Sequence, residues 1–273
     1  MPHIGFPMRL FGRKGADKGR QRKAAKVPKP LIAMVGEWHR LAALVAGPPG
    51  SGKTTFLKAL RRVLEAHGVE YVYLAAKEVS TPVRVREEVV LRHLVEVLRP
   101  TATQPVMPAL DRLQLVASRA ASLDEVRKAA EKFDPRVAEW VLARIDALLE
   151  LREGGEIVVR ADRPLNDLER RIAAGLLYAA RLEGDPRLYI LDDAYGFLAV
   201  EEFLREWLAV NRPYIVTINK YPDVDMLLAF QPIVIAPGAA PYYRYTDPRH
   251  YVVLADHKPI AKISIRDVQR LAQ

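Results

Sequence analysis

The sequence predicts an α/β fold: a mostly parallel sheet with helices on both faces, a helical insert and a C-terminal β-hairpin. First, strand-length apolar runs alternate with segments whose apolar residues recur at helical spacing, at residues 41–75 and again at residues 156–235. Such alternation is typical of parallel sheets that are covered on both sides. Second, a glycine-rich turn joins the strand predicted at residues 41–45 to a helix.

The segment before residue 82 is predicted to hold the first strands and the first helix. Residues 31–36 are expected to form a short strand, and residues 38–45 lead into the turn. The helix after the turn should end near His67 and Gly68, since glycine suits the left-handed conformation that closes many helices. Residues 69–75 predict a second buried strand.

Residues 82–152 are predicted to form the helical insert. Residues 83–98 are apolar at helical spacing and stop before a proline. Ser122 with Glu125 predicts a capping box, and Asp134 followed by a proline predicts another helix start. The apolar residues do not repeat in sustained heptads, so a long coiled coil is not expected.

The core is expected to resume at residue 153 and to continue to residue 273, so that it comprises residues 31–81 and 153–273. Further predicted strands are 156–159, 187–191, 213–218 and 232–235, and predicted helices are 165–181, 200–209 and 224–230. Apolar runs at 251–255 and 260–265 flank Asp256-His257-Lys258-Pro259 and predict a hairpin. A short helix at residues 266–271 should follow.

A complete G-x-x-x-x-G-K-[ST] motif occupies the glycine-rich turn. It consists of Gly47, Pro48, Pro49, Gly50, Ser51, Gly52, Lys53 and Thr54, and Thr55 follows it. Glycines permit a backbone wrap that points N–H groups at phosphate oxygens, and the helix N-terminus favours an anion. Lys53 would reach the β- and γ-phosphates, and the Thr54 hydroxyl would bind Mg²⁺. In its strand–loop–helix context the motif predicts a P-loop NTPase site for ATP and Mg²⁺.

Acidic and amide side chains follow two later strands. Four apolar residues precede Asp192 and Asp193, which is the Walker B pattern. The Asp192 carboxylate is expected to emerge beside the phosphate loop and bind Mg²⁺, and Asp193 is the candidate base that positions the attacking water. Asn219 ends the next strand. It is predicted to face the γ-phosphate or the attacking water, although it could equally begin a turn.

The net charge of +9 is concentrated at the N-terminus. Residues 1–30 contain nine basic residues and one acidic residue. This segment is predicted to be a disordered basic arm. It could bind DNA or an anionic membrane surface, or serve only as a solubilising tail.

The composition also excludes several classes of function. The chain has no cysteine, which rules out disulfides, thiolate metal sites and cysteine nucleophiles and fits a cytoplasmic protein. No apolar run approaches the ~18 residues that a membrane span needs, so no membrane span is expected. Near the C-terminus, Tyr242, Tyr243, Tyr245 and Tyr251 interleave with arginines. They could stack on bases or simply pack at the edges of loops.

Together these motifs resemble P-loop ATPases of the additional-strand class. Within that class, residues 156–236 are similar to the C-terminal half of an ABC-type head of the SMC and DNA-repair kind. Residues 165–170, Leu-Asn-Asp-Leu-Glu-Arg, stand where that family has its L-S-G-G-E-[RK] signature. The resemblance implies ATP-dependent dimerisation and a role on DNA. Asp167 and Leu168 replace both signature glycines, while Asp193 replaces the family's glutamate, so slow hydrolysis is expected.

The amino-acid sequence of the phosphate loop is also similar to that of AAA+ ATPases. Asn219 matches the polar sensor residue that ends a strand in that family. Against this, their Walker B motif usually lies about half as far downstream, and the tail after residue 236 is too short for their helical lid. Three hypotheses therefore stay open. The chain is an SMC-like homodimer on DNA, an AAA+-type ATPase that remodels or loads a protein partner, or a nucleotide-gated scaffold that hydrolyses little.

Overall fold

The computed structural model describes residues 27–75, 78–79, 82–102, 107–160, 164–197, 207–221, 224–238 and 243–273. The predicted basic arm thus lies outside the described residues except for positions 27–30. The helix predicted at residues 200–209 is described only from residue 207, and residues 207–210 are helical. Among the stacking candidates, Tyr242 also lies outside this part of the chain.

Strands and helices alternate along most of the described chain. The strands are β1 (Ala42–Ala46), β2 (Tyr71–Ala75), β3 (Glu78–Val79), β4 (Val83–Arg86), β5 (Arg152–Glu153), β6 (Glu156–Val159), β7 (Leu188–Leu191), β8 (Tyr214–Ile218), β9 (Ile233–Ile235), β10 (His250–Ala255) and β11 (Lys258–Ser264). The α-helices are α1 (Lys29–Gly36), α2 (Lys53–Ala66), α3 (Glu87–Arg92), α4 (Leu94–Leu98), α5 (Met107–Ala117), α6 (Leu123–Ala130), α7 (Pro135–Glu150), α8 (Asp167–Leu182), α9 (Ala194–Phe197), α10 (Val224–Ala229) and α11 (Ile265–Ala272). These elements form the predicted α/β fold, which is that of a P-loop NTPase.

The main sheet has the order β11-β10-β9-β1-β8-β7-β2-β3. Its five central strands, from β9 to β2, are parallel to one another. The outer strands β10, β11 and β3 pair antiparallel. All five residues of β1 are buried, because helices cover both faces of the sheet at its centre. The strand that leads into the glycine-rich turn is therefore fully buried, as are β7, β8 and β9.

The side chains of β1 alternate between two hydrophobic clusters. Ala43 and Val45 pack with apolar residues of α1, α2 and α11. Leu44 and Ala46 pack on the opposite face with α8 and with the helices between residues 87 and 150. The period of two follows from strand geometry. Both faces of the sheet are consequently covered by helices, as the sequence predicts.

The expected strand at residues 31–36 is wrong, because this segment is helix α1. Pro30 stands in its first turn, where the fixed φ of proline favours a helix. Leu31, Met34 and Val35 are buried at helical spacing, whereas Ile32 is exposed. A short apolar run has no clear period of its own, and here packing against α2 decides for the helix.

The segment after residue 82 begins with a strand rather than the predicted helix. In β4 the valines at 83 and 85 are buried and the arginines at 84 and 86 are exposed, which is the alternation of a half-buried strand. β4 pairs with β6, and β6 pairs with β5, in a separate three-stranded antiparallel sheet. The strand predicted at residues 156–159 therefore exists but lies outside the main sheet.

The helices α3 to α7 lie between the strands of this small sheet along the chain. Ser122 accepts a hydrogen bond from the Glu125 backbone N–H, and Asp134 accepts one from the Arg136 N–H, so both residues are N-caps as predicted. The Glu125 carboxylate accepts from the Ala121 N–H instead of the Ser122 N–H, so only half of the predicted capping box forms. The division at residues 82–152 stays a prediction. The pairing of β4 with β6 links the beginning of the predicted insert to the segment that follows it.

The predicted C-terminal hairpin is confirmed as β10 and β11. Asp256 and His257 form its turn, both at positive φ, which is typical of tight two-residue turns. Lys258 and Pro259 belong to β11 rather than to the turn. Because β10 pairs with β9, the hairpin extends the main sheet and brings its side chains towards the glycine-rich turn. Among the described helices, none is long and apolar enough to cross a membrane.

Candidate nucleotide-binding site

The glycine-rich turn between β1 and α2 depends on close backbone packing. Gly52 has a φ of 91°, and a Cβ placed there would lie 2.5 Å from the Tyr251 hydroxyl oxygen. A Cβ at Gly47 would lie 2.9 Å from the Ser51 Oγ and 3.0 Å from the Ala236 Cβ. Side chains at these two positions would force the loop outward. Glycine is therefore required here for both conformation and space.

Lys53 begins α2 and bends back over the loop. Its Nζ donates to the Gly47 carbonyl at 2.8 Å and to the Pro48 carbonyl at 2.9 Å. The residue is only 7% exposed, and burial lowers the pKa of its ammonium, while the charges of Asp192 and Asp193 oppose that shift. The loop thus holds a partly desolvated cation at the place where the motif predicts phosphate oxygens.

The Asp192 carboxylate accepts hydrogen bonds from three hydroxyl groups. Thr54 and Tyr73 donate to its Oδ2 at 2.8 Å and 3.0 Å, and Thr217 donates to its Oδ1 at 2.8 Å. Tyr73 is in β2 and Thr217 is in β8, the two strands that flank β7. Asp192, which follows β7, is therefore held from both sides of its own strand.

Tyr73 and Thr217 were not among the site residues predicted from the sequence. Each lies in a strand that reads as apolar, and neither belongs to a motif. The available signal was a polar group in the middle of an apolar strand, since such a group is buried and needs a hydrogen-bond partner. Burial and the Asp192 charge raise the pKa of the Tyr73 phenol, which keeps it a hydrogen-bond donor.

Asp193 follows in a left-handed backbone conformation, with a φ of 73°. Its backbone N–H donates to the Thr217 Oγ1 at 2.7 Å, so this single hydroxyl links the two aspartates. Its carbonyl accepts from the Gly196 N–H at the start of α9. These two backbone contacts hold the Asp193 backbone in place and so orient its Cα–Cβ bond. For residues other than glycine this conformation is uncommon and points to a constrained site.

One open cleft of about 650 Å³ brings the predicted site residues together. Its lining includes Lys53, Thr54, Asp192, Asp193 and Asn219. Asn219 is exposed and directly follows β8, while the aspartates follow β7, so the carboxyl ends of neighbouring parallel strands meet here. In open parallel sheets this edge is the usual place for ligands. Of the other predicted loop residues, Pro49, Gly50, Gly52 and Thr55 line this cleft, Ser51 lines an adjoining one, and Gly47 and Pro48 contribute the carbonyls that Lys53 binds.

The Thr54 hydroxyl and the Asp192 carboxylate fit a magnesium ion. Their oxygens are 2.8 Å apart, and both are the hard ligands that Mg²⁺ prefers. Mg²⁺ is usually held by one or two protein oxygens together with phosphate oxygens and water rather than by a complete protein cage. This pair provides such a partial set of ligands beside Lys53.

The segment that resembles an ABC signature forms the N-terminal cap of α8. The Asn166 Oδ1 accepts from the Glu169 N–H at 2.9 Å, and the Glu169 Oε2 accepts from the Asn166 N–H at 2.8 Å. This reciprocal pair is a capping box, as its residue types predict. Leu168 is partly buried and packs against the hydrophobic core. A role in contacting nucleotide on another protomer remains a prediction.

Comparison with known families finds a match to part of the chain. A family model described as an AAA domain matches residues 30–138, a segment that contains α1, β1, the glycine-rich loop, α2 and β2. No curated protein matches the chain. With the fold and the loop geometry, this match supports a nucleotide-binding P-loop ATPase.

Proposed function

We propose that the protein binds Mg²⁺–ATP in the cleft beside the glycine-rich loop and hydrolyses it slowly. The observation that carries this proposal is the convergence of Lys53, Thr54, Asp192, Asp193 and Asn219 on one cleft. Three separate segments of the chain supply these side chains. The chain therefore presents a cation, a pair of metal-binding oxygens and two further polar groups at one sheet edge.

The loop and Lys53 bind the phosphates in this proposal. Backbone N–H groups of the loop and the N-terminus of α2 attract the negative charge, and the Lys53 ammonium adds a charge-assisted contact. Thr54 and Asp192 would hold Mg²⁺, which neutralises charge on the β- and γ-phosphates when bound. Tyr73 and Thr217 are positioning residues, because they touch the Asp192 carboxylate rather than the nucleotide.

Asp193 and Asn219 are the proposed catalytic residues. Asp193 would accept a hydrogen bond from the attacking water, and Asn219 would orient that water or contact the γ-phosphate. The backbone of Asp193 is anchored through Thr217. Its side chain is one methylene shorter than glutamate, so its carboxylate reaches less far towards the water. Slow turnover follows from that shorter reach, because proton transfer requires hydrogen-bond contact.

The strand order supports the additional-strand class of P-loop ATPases. β8 lies between β1, which precedes the phosphate loop, and β7, which precedes Asp192. Within that class we favour an AAA-type ATPase that acts on a protein partner, because the matched family model covers the loop and its flanking elements. The SMC-like homodimer on DNA remains the second hypothesis, carried only by the likeness of residues 156–236 to such heads.

Titration of the full chain with a fluorescent ATP analogue and Mg²⁺ tests the binding proposal. Lys53→Ala should weaken binding at least about tenfold, because a charge-assisted contact is lost. Arg62→Ala is the matched control, since Arg62 is exposed on the same helix and lies outside the cleft lining. No saturable binding by the wild-type chain, or equal affinities for Lys53→Ala and wild type, would refute the proposal.

Light scattering with and without ATP separates the two assembly hypotheses. An ATP-dependent dimer supports the SMC-like head, and a ring of six supports the AAA-type assembly. Phosphate release by the wild type addresses the third hypothesis, because binding without measurable release supports a nucleotide-gated scaffold.

The role of the basic arm and the cytoplasmic location of the protein also stay predictions. If the arm binds DNA, deleting residues 1–30 should remove salt-sensitive affinity for duplex DNA, since phosphate contacts release counterions. Unchanged affinity after the deletion would contradict that role.

A further inference from the structure

A second cleft adjoins the phosphate loop on the side of the C-terminal hairpin. Its volume is about 390 Å³, within the ~300–1,000 Å³ typical of small-molecule sites. It shares Gly50, Gly52 and Thr55 with the first cleft. The rest of its lining comes from the loop, from the segments that follow β9 and precede β10, from β10 itself and from the last helix, namely Ser51, Pro237, Gly238, Pro248, Tyr251, Ile265 and Gln269. We call it the hairpin cleft.

The two clefts lie on opposite sides of the loop. The first is bounded by residues that follow β7 and β8, and the hairpin cleft by residues from β10 and the segment after β9. β1 lies between these two pairs of strands in the sheet. The proposed function puts the γ-phosphate at the Asp193 side. A nucleotide whose nucleoside end leaves the loop on the other side would enter the hairpin cleft, because the two clefts share Gly50, Gly52 and Thr55.

We propose that the hairpin cleft binds the nucleoside and that Gln269 recognises adenine. This inference rests on the proposed nucleotide site and adds its base specificity. Ile265 and Gln269 are four residues apart on α11, so they share one face of that helix. Pro248 and Ile265 offer apolar surface to a flat base, and Gln269 is an exposed amide in the same lining.

The Gln269 side chain is available for this role. It is exposed and makes no side-chain hydrogen bond with the described residues. A glutamine amide carries one acceptor and two donors, which match the adjacent amine and ring nitrogen of adenine in a bidentate pair. Along the edge that carries N7, guanine presents two acceptors, O6 and N7, so the amide oxygen finds no donor there and the bidentate pair cannot form. The chemistry therefore favours adenine over guanine nucleotides.

Tyr251 couples the hairpin cleft to the phosphate loop. Its ring is buried and packs against Phe56, with the ring centroids 5.1 Å apart. Its hydroxyl donates to the Gly52 carbonyl at 2.8 Å. The side chain thus forms a fixed floor that joins the loop to β10, and α11 packs on α2 at the side of the cleft. Preorganised walls of this kind lower the ordering cost of ligand binding.

Competition titrations of the full chain with ATP, GTP and inorganic tripolyphosphate test the inference. The wild type should bind ATP about tenfold more tightly than GTP, the scale of one bidentate base contact. In Gln269→Ala the affinity for ATP should fall about tenfold, while the affinities for GTP and tripolyphosphate should stay unchanged. Arg270→Ala is the control, because this neighbouring side chain is exposed and lies outside the cleft lining.

Measuring ATP, GTP and tripolyphosphate together distinguishes a failure of the base contact from a failure of the phosphate site. Unchanged ATP affinity in Gln269→Ala, or an equal loss for all three ligands, would overturn the base contact while the phosphate site stands. If the wild-type chain bound neither ATP nor tripolyphosphate, the proposed function itself would fail. Equal wild-type affinity for ATP and GTP would likewise overturn the preference for adenine.

Discussion

The two sides of the phosphate loop are built from different interactions. On the Asp192 side, hydroxyls from three elements converge on one carboxylate, and a backbone N–H shares the Thr217 oxygen. On the hairpin side, a buried aromatic pair and one hydrogen bond to Gly52 support the loop. Hydrogen bonds are directional and orient a charged group, whereas apolar packing has no preferred direction and holds surfaces in contact. Hydrogen bonds therefore orient the Asp192 carboxylate on one side of the loop, and aromatic packing supports the loop backbone on the other.

The largest expected effect lies on the Asp192 side. In Asp193→Asn, phosphate release should fall about 100-fold, because an amide cannot accept the proton of the attacking water. ATP affinity should stay near that of the wild type, since the side chain is not assigned to binding. Asp225→Asn changes an exposed acid on α10 and serves as the control. Unchanged turnover would remove Asp193 from the catalytic role.

The next effect tests the link between the two aspartates. Thr217→Val removes a fully buried hydroxyl and leaves the Asp193 N–H without its acceptor. The free energy of unfolding should fall by about 1–3 kcal/mol. Thr217→Ser keeps the hydroxyl, so its loss should be nearer the ~0.8 kcal/mol of one buried methylene. Urea denaturation measures both variants, and equal losses would show that the hydroxyl is not what holds this side together.

A smaller effect tests the contact on the hairpin side. Gly52→Ala should cost about 1–2 kcal/mol for the left-handed backbone, plus a further loss from the contact with the Tyr251 hydroxyl. Gly68→Ala has the same kind of backbone but nothing within 4 Å of its new Cβ, so it isolates the backbone cost. Adding Tyr251→Phe should partly rescue Gly52→Ala, since the next ring atom is 3.6 Å away.

Thermal or urea unfolding of these variants gives the coupling between positions 52 and 251. A double variant whose loss equals the sum of the two single losses would indicate that the hydroxyl does not limit the space at position 52. The contact would then not explain why the loop needs glycine at this position.

The smallest effect concerns the hairpin itself. Hydrogen bonds from Lys262, from the Arg249 N–H and from His250 hold the pKa of the Asp247 carboxyl well below its usual value. A carboxyl with a depressed folded pKa stabilises the fold above its unfolded pKa near 4 and loses that contribution as pH falls through the folded value. Wild-type stability should therefore decline below about pH 4 more steeply than that of Asp247→Asn. Parallel acid titrations monitored by circular dichroism would contradict this if the two curves coincide.

Sequence patterns predicted the parts of the site that lie within single segments. The loop from Gly47 to Thr55 is one such segment, and Asp192 follows a strand with the Walker B pattern. Both depend on local spacing, which the chain displays directly. The helix at residues 29–36 and the strand at residues 83–86 were mispredicted, because short apolar segments take their form from the surface on which they pack.

The sequence by itself determined the phosphate loop, the acidic residues at a strand end, and a covered parallel sheet. Only the tertiary structure decided that Tyr73 and Thr217 donate hydrogen bonds to Asp192 and that the Tyr251 hydroxyl donates one to the Gly52 carbonyl. Tyr251 is 199 residues from Gly52 along the chain. The physical reason is strand order: which strands become neighbours depends on packing across the whole sheet, and no local pattern records that choice.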